Sequence, residues 1–148
     1  MITVPAADLC RGVIRMLAGM DQAAVTELVL ANGRRADIAA VDGKGQITIV
    51  EIKSCQNDFR VDSKWPDYRP FCDRFFFAVS EAFPIDILPE DTGLIIADGF
   101  GAGIVREADD HPLPAARRKS VTLRFARTAA TRLSVPHLSS VDAGGFLT

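Results

Sequence analysis

Asp37, Glu51 and Lys53 are the residues whose types and spacing could do chemistry. They lie in residues 34–53, where two apolar, β-branched segments, 36–41 and 47–52, flank Gly43-Lys44-Gly45. That pattern predicts a β-hairpin with a three-residue connection. With Gly43 to Gly45 as the loop, Asp42 faces Gln46 and Asp37 falls opposite Glu51. Directly opposed side chains share a sheet face, with Cβ atoms about 4.5–5.5 Å apart. Side chains alternate with period two, so Lys53 joins that face one step beyond Glu51. Two carboxylates and one ammonium are gathered at one end of the hairpin.

Like charges opposed across strands are destabilising, and more so among Ala39, Val41, Ile47 and Ile49. A divalent cation would relieve the repulsion. Hard cations such as Mg²⁺ choose carboxylate oxygens, and Mg²⁺ takes one or two of them together with substrate phosphates and water. The lysine would then orient or polarise a water beside the cation. The plain alternative is a salt bridge, with Lys53 neutralising Glu51 and Asp37 solvated at the strand end.

These side chains need elements to position them. Residues 5–20 start at Pro5 and place Leu9, Val13, Ile14, Leu17 and Met20 at spacings of three and four, which predicts an amphipathic helix. Residues 25–30 read as a strand, and Asn32-Gly33 turns the chain into the Asp37 strand. A two-residue turn would put Leu28 opposite Asp37 and Glu27 on the other side. A three-residue turn, Ala31 to Gly33, would make Glu27 itself face Asp37 as a third carboxylate. After Lys53, residues 56–62 read as a short helix, which Pro66 and Pro70 break. Residues 74–79 form a continuous apolar run, the mark of a strand buried on both faces and reached in parallel by a crossover. Residues 93–98 and 102–107 read as strands, with Gly99 to Gly103 as a turn and not a dinucleotide loop, since no helix follows it.

In residues 115–133 the helical period returns, with Phe125, Ala126, Ala129, Ala130 and Leu133 on one face and Arg117, Arg124, Arg127 and Arg132 on the other. That arginine face is either a solvated surface or a strip that meets phosphates. From about 135, beyond which Pro136 and a Ser, Gly and Thr content follow, the expectation is a loose tail.

At 148 residues, 48% hydrophobic and 24% charged, the chain fits a single domain spanning 1–148. No run of eighteen apolar residues occurs and residue 1 onward lacks the pattern of a signal peptide, so the expectation is a cytoplasmic protein with no membrane partner. Cys10, Cys55 and Cys72 are an odd set without a CxxC spacing, which excludes a disulfide framework and a structural zinc site. Asp109-Asp110-His111 is followed by Pro112 and reads as an exposed loop. The net charge of −2 is unevenly spread: residues 1–110 carry −7 and residues 111–148 carry +5. A local basic strip is enough to meet a phosphate backbone.

A helix, a three-stranded meander with Asp in its second strand and Glu-x-Lys in its third, a crossover and a buried strand together resemble the restriction-endonuclease-like PD-(D/E)XK nuclease fold. More narrowly, Arg34-Arg35-Ala36-Asp37-Ile38, Glu51-Ile52-Lys53-Ser54, and Lys64-Trp65-Pro66-Asp67-Tyr68 with Cys72-Asp73-Arg74-Phe75 resemble the MmcB family of bacterial DNA-repair nucleases, over roughly residues 5–110. Ala36 stands where the superfamily name puts proline; that side chain is not a ligand. The resemblance implies an α/β fold, a mixed central sheet flanked by helices in the order α-β-β-β-α-β-β-β-α. It implies Asp37 and Glu51 as ligands of Mg²⁺ (or Mn²⁺), helped by the backbone carbonyl of Ile52, with Lys53 activating the attacking water and Gln56 supporting the site. Arg34, Arg35, Lys64 and Tyr68 become candidates for substrate contact, and Asp58 for support. The activity so implied is metal-dependent hydrolysis of DNA phosphodiesters in repair, with DNA, other repair proteins and a second copy of the chain as partners. The alternatives are a catalytically silent nucleic-acid-binding or scaffold module of the same fold, and a small-molecule phosphohydrolase.

Overall fold

The computed structural model describes residues 3–55 and 64–143. Helix α1 (Ala6–Gly19) leads into strands β1 (Ala23–Val29), β2 (Arg35–Val41) and β3 (Ile47–Ile52). A 3-10 helix (Trp65–Phe71), β4 (Arg74–Val79), a 3-10 turn (Ile85–Ile87), β5 (Gly93–Ala97), β6 (Ala102–Arg106) and α2 (Ala115–Ala143) follow. The six strands form one sheet in chain order. Strands β1, β2 and β3 are antiparallel neighbours, β3, β4 and β5 are parallel, and β6 returns antiparallel to β5. The short helix expected at 56–62 lies outside the described residues. Where the two prolines led to the expectation of a break, the chain forms the 3-10 helix; Pro66 sits in its first turn, where no amide donor is needed.

Both hairpin turns use the same chemistry. Gly33 N–H donates to Leu30 O at 2.9 Å and Gly45 N–H to Asp42 O at 3.1 Å, and each glycine is left-handed, at φ 85° and φ 83°. A type I turn closed by a left-handed glycine is a favoured three-residue hairpin connection, and a Cβ would strain that position. The Asp42 carboxylate accepts from Lys44 N–H and Gln46 N–H, both at 2.9 Å, and the Asn32 amide oxygen from Arg34 N–H at 3.0 Å. The turns therefore set the register on both sides of β2.

Alternation then divides the core. On one sheet face Ile38, Ala40, Val50, Phe76, Ala78 and Ile95 pack against Leu9, Val13 and Leu17 of α1. On the other, Ala39, Ile49, Phe75, Phe77 and Leu94 pack under the 3-10 helix and α2, through Tyr68, Phe71, Val121 and Phe125. Trp65, Tyr68, Phe75 and Phe77 form a ring cluster with centroid separations of 5.2–5.9 Å. Each fully buried large side chain contributes about 1.5–3 kcal/mol by leaving water.

Helix α1 is seated by a glycine. A Cβ on Gly12 would run into the carbonyl oxygens of Asp98 and Gly101, in the turn between β5 and β6. Those are backbone atoms and cannot swing aside. Gly12→Ala is therefore expected to lower stability by about 1–3 kcal/mol, the usual cost of overpacking, as read from urea denaturation.

Helix α2 corrects two expectations. It runs 29 residues through Pro136 to Ala143, so the expected loose tail is helical from 135 to 143. Proline removes one amide donor; here the helix continues through it. The helix also differs in part from the expected orientation. Phe125 and Ala129 are half-buried as expected, but Ala126, Ala130 and Leu133 are exposed, while Arg117 and Arg118 are half-buried. Arg117 donates to Pro70 O at 3.0 Å with its guanidinium 4.5 Å from the Phe71 ring centre, and Arg132 donates to Glu27 O at 3.3 Å. Arginine stems cover apolar surface, so a helix can bury its basic side against the body. Of the expected arginine face, Arg124, Arg127 and Arg132 stay exposed.

Asp73, next to the start of β4, is the anchor for α2. Only 2% exposed, its carboxylate accepts from Ile47 N–H at 2.7 Å and Leu113 N–H at 2.9 Å, and from both terminal nitrogens of Arg118 at 2.6 and 2.7 Å. Arg118 also donates to Gly45 O at 2.8 Å. One carboxylate thus fastens β3, the segment before α2, and α2 itself at one edge of the sheet.

Candidate functional site

Asp37 and Glu51 occupy the opposite edge, where β2 begins and β3, β4 and β5 end. Pairing of Val41 with Ile47, Ala40 with Thr48, Ala39 with Ile49 and Ile38 with Val50 brings Asp37 next, across from Glu51. The two acids clamp each other's strand. Asp37 N–H donates to Glu51 Oε1 at 2.9 Å, and Ile52 N–H donates to Asp37 Oδ2 at 2.8 Å. Each carboxylate is thereby held by a backbone amide of the other strand.

Lys53 follows at once. Its backbone N–H donates to Ala78 O of β4 at 3.0 Å, and the residue is buried, at 8% exposed beside Glu51 at 5%. Burial pushes the Asp37 carboxyl above the ordinary carboxylate range, overcoming the Ile52 amide, the positive charges of Lys53 and Arg35, and a hydrogen bond with Glu51. Burial is thus the dominant influence on the Asp37 carboxyl, with Lys53, Arg35 and Glu51 acting on it in the opposite sense.

These donors fit a hard divalent cation. Two carboxylates side by side offer oxygen ligands, and the Ile52 carbonyl emerges on the same strand side as its amide, which already points at Asp37. Among the described residues no group of three or more His, Cys, Asp or Glu side chains is arranged to hold a metal. Mg²⁺ and Mn²⁺ keep water and phosphate among their ligands and need only one or two protein carboxylates.

Glu27 takes the place that the three-residue turn allows. Leu30 pairs with Arg34, Thr26 with Ile38 and Leu28 with Ala36, so Glu27 lies across from Asp37. Its backbone is left-handed at φ 51° and its side chain is 63% exposed, with the carboxylate 3.9 Å from Arg35 Nε. It stands at the rim of a cleft of about 420 Å³, lined by Cys10, Thr26, Glu27, Asp37, Ile52 and Ser54. The Cys10 thiol faces both acids: burial raises its pKa, and the charges of Asp37 and Glu27 raise it further. Nothing in the sequence pointed to Cys10, because a helix and a strand far apart in the chain build that wall.

The other candidate residues separate. Tyr68 is buried, stacks on Phe75 and donates its hydroxyl to Arg35 O at 3.1 Å, which is a packing role. Arg34 Nε is bound to the Asp67 carboxylate at 3.0 Å, while Asn32 donates to Asp67 O at 3.1 Å, so Arg34 ties the first turn to the 3-10 helix. Arg35 remains at the rim with Glu27. Lys64 is exposed where that 3-10 helix begins. Gln56 and Asp58 lie outside the described residues. His111 is exposed, its Nε2 3.0 Å from Arg69 Nη1, away from any metal cluster among the described residues. The three cysteines are free thiols, and burial pushes Cys72 up to about 12.

The fold and the site define an α/β protein with paired carboxylates and a lysine at the carboxyl ends of parallel strands. A family model described as DNA repair protein MmcB-like matches residues 3–139, and the chain belongs to that family. Among solved structures it is similar to the SPO1766 protein of unknown function from Silicibacter pomeroyi, 43% identical over 90% of this chain and 91% of that one, with a TM-score of 0.87. No curated protein matches the chain. No helix among the described residues is long and apolar enough to cross a membrane.

Proposed function

We propose that this DNA repair family member is a metal-dependent deoxyribonuclease of the PD-(D/E)XK kind, built on a restriction-endonuclease-like fold and hydrolysing DNA phosphodiesters. The observation that carries this reading is the reciprocal clamp of Asp37 and Glu51 beside Lys53. A scaffold gains nothing from two opposed, half-desolvated acids, whereas a phosphodiesterase needs them. Asp37, Glu51 and the Ile52 carbonyl would hold Mg²⁺ or Mn²⁺. Bound there, the cation supplies Lewis acidity to the scissile phosphate and neutralises charge developing on its oxygens.

The protein's own groups do the rest. The amide of Ile52 fixes Asp37 and the amide of Asp37 fixes Glu51, so the ligand oxygens are set in advance. The Lys53 ammonium places positive charge beside the nucleophile and favours hydroxide over water. Hydroxide attacks phosphorus, the P–O bond to the leaving sugar oxygen breaks, and that oxygen takes up a proton. Two carboxylates repel a phosphodiester, so cleavage is expected to depend on added metal.

The test is a panel of end-labelled single-stranded, duplex and branched DNA with Mg²⁺ or Mn²⁺, run beside Lys53→Ala. Cleavage that chelator stops and Lys53→Ala lacks is the expected result. Binding without cleavage of any member would leave the silent module instead.

A further inference from the structure

The edge that carries Lys53 continues across the parallel strands. Ser80 and Glu81 follow β4, and Asp98 follows β5. Strands lie about 4.8 Å apart, so the end of β5 is roughly 10 Å from that of β3, about the rise of three stacked nucleotides. Between the ends of β4 and β5 opens a cleft of about 590 Å³, lined by Ser80, Glu81, Ile96, Asp98 and Phe100 among others and, among the described residues, by no lysine or arginine. That volume suits a small planar group. Two acids and no base disfavour a phosphate in it.

Phe100 stands at the rim, 82% exposed. Its turn is nonetheless tightly held. Asp98 Oδ1 accepts from Phe100 N–H at 2.7 Å and Gly101 N–H at 3.0 Å, Asp98 N–H donates to Gly101 O at 2.9 Å, and Arg15 of α1 donates to Phe100 O at 3.0 Å. The absent side chain of Gly12 lets α1 press directly on the carbonyls of Asp98 and Gly101. An aromatic ring is thus presented to solvent on a fixed backbone, beside a cleft with a hydroxyl and carboxylates for polar edges.

We propose that Phe100 and this cleft form a subsite for an unpaired base, on a strand whose scissile phosphate lies at Lys53. The substrate is then single-stranded or locally unpaired DNA, an inference that rests on the nuclease reading of the Asp37 site. In continuous duplex each base face is covered by its neighbours, and only an unstacked base can lie on Phe100. Stacking tolerates any base, while Ser80 and Glu81 meet donors on its edge.

The experiment measures binding of fluorescein-labelled single-stranded DNA and blunt duplex by anisotropy, using the full chain in a Lys53→Ala background. Adding Phe100→Ala is expected to weaken single-strand binding about tenfold, within the usual range for one base–aromatic stack, to leave duplex binding nearly unchanged, and to be rescued by Phe100→Trp. Unchanged single-strand affinity, or an equal loss on both probes, would overturn the subsite. The two readings fail separately. If Lys53-intact protein cuts no DNA yet Phe100→Ala still loses single-strand affinity, catalysis falls and the subsite stands; cleavage alongside unaltered Phe100→Ala binding gives the reverse.

Discussion

Asp37→Asn is expected to be inactive on DNA yet at least as stable as the wild type at neutral pH. The asparagine amide oxygen can still accept from Ile52 N–H, so the clamp keeps its shape while one negative charge disappears. Burial holds the Asp37 carboxyl above its ordinary range. A carboxyl whose pKa rises on folding favours the protonated form in the native state, so its ionised form costs stability at pH 7 and that cost lifts as pH falls through the raised value. Removing the charge lifts it at every pH. Lys53→Met separates the roles: cleavage is expected to slow by about 10²–10³-fold, the scale of losing one charge-stabilising group in a site, while the carboxylates still take up metal. Single-turnover cleavage and thermal melting on the same preparations check both. Gain of stability with loss of function is the pattern of a group kept for chemistry.

Asp73→Ala is expected to lower stability by about 3–5 kcal/mol, because it strips a buried ion pair of one partner and leaves two backbone amides without their acceptor. That is a large part of the roughly 5–15 kcal/mol available to a domain. Burial on its own would raise the Asp73 carboxyl, but the Arg118 hydrogen bonds and the amides of Ile47 and Leu113 outweigh it and leave it below the ordinary value. An acid with a depressed native pKa adds stability that is present above its unfolded value, near 3.9, and fades as pH falls through the folded one. Urea midpoints measured from pH 7 down to pH 2 should converge for wild type and Asp73→Ala at the acid end. Arg118→Ala is expected to cost less, since Asp73 keeps both amides.

Much of the candidate site was legible because hairpin register follows from turn length. Gly43 to Gly45 as the loop places Asp37 across from Glu51 with no further information; the ladder holds that register as far as Ile38 with Val50, and the two acids bond across the next step. The face of Glu27 was undecided because Asn32-Gly33 supports both a two- and a three-residue turn, and the choice depends on Leu30 pairing with Arg34. Helix α2 was read correctly as a helix, with Phe125 turned to the body, but only part of its face was assigned. Its apolar and basic residues were sorted by polarity, but Arg117, Arg118 and Arg132 find carbonyls, a ring and a carboxylate on the body, while Leu133 is left 77% exposed. Asp73 gave one hint, a carboxylate beside Arg74 at the start of an otherwise apolar strand. Its partners, Ile47, Leu113 and Arg118, are too distant in sequence for any local pattern to join them.

The central claim is that the Asp37–Glu51 pair holds a divalent cation, and Mn²⁺ titration calorimetry tests it most directly. The expected result is a single-site isotherm for the wild type that persists in Lys53→Met and vanishes in Asp37→Asn and Glu51→Gln. No binding heat in the wild type, or the same isotherm after either acid is neutralised, would contradict it.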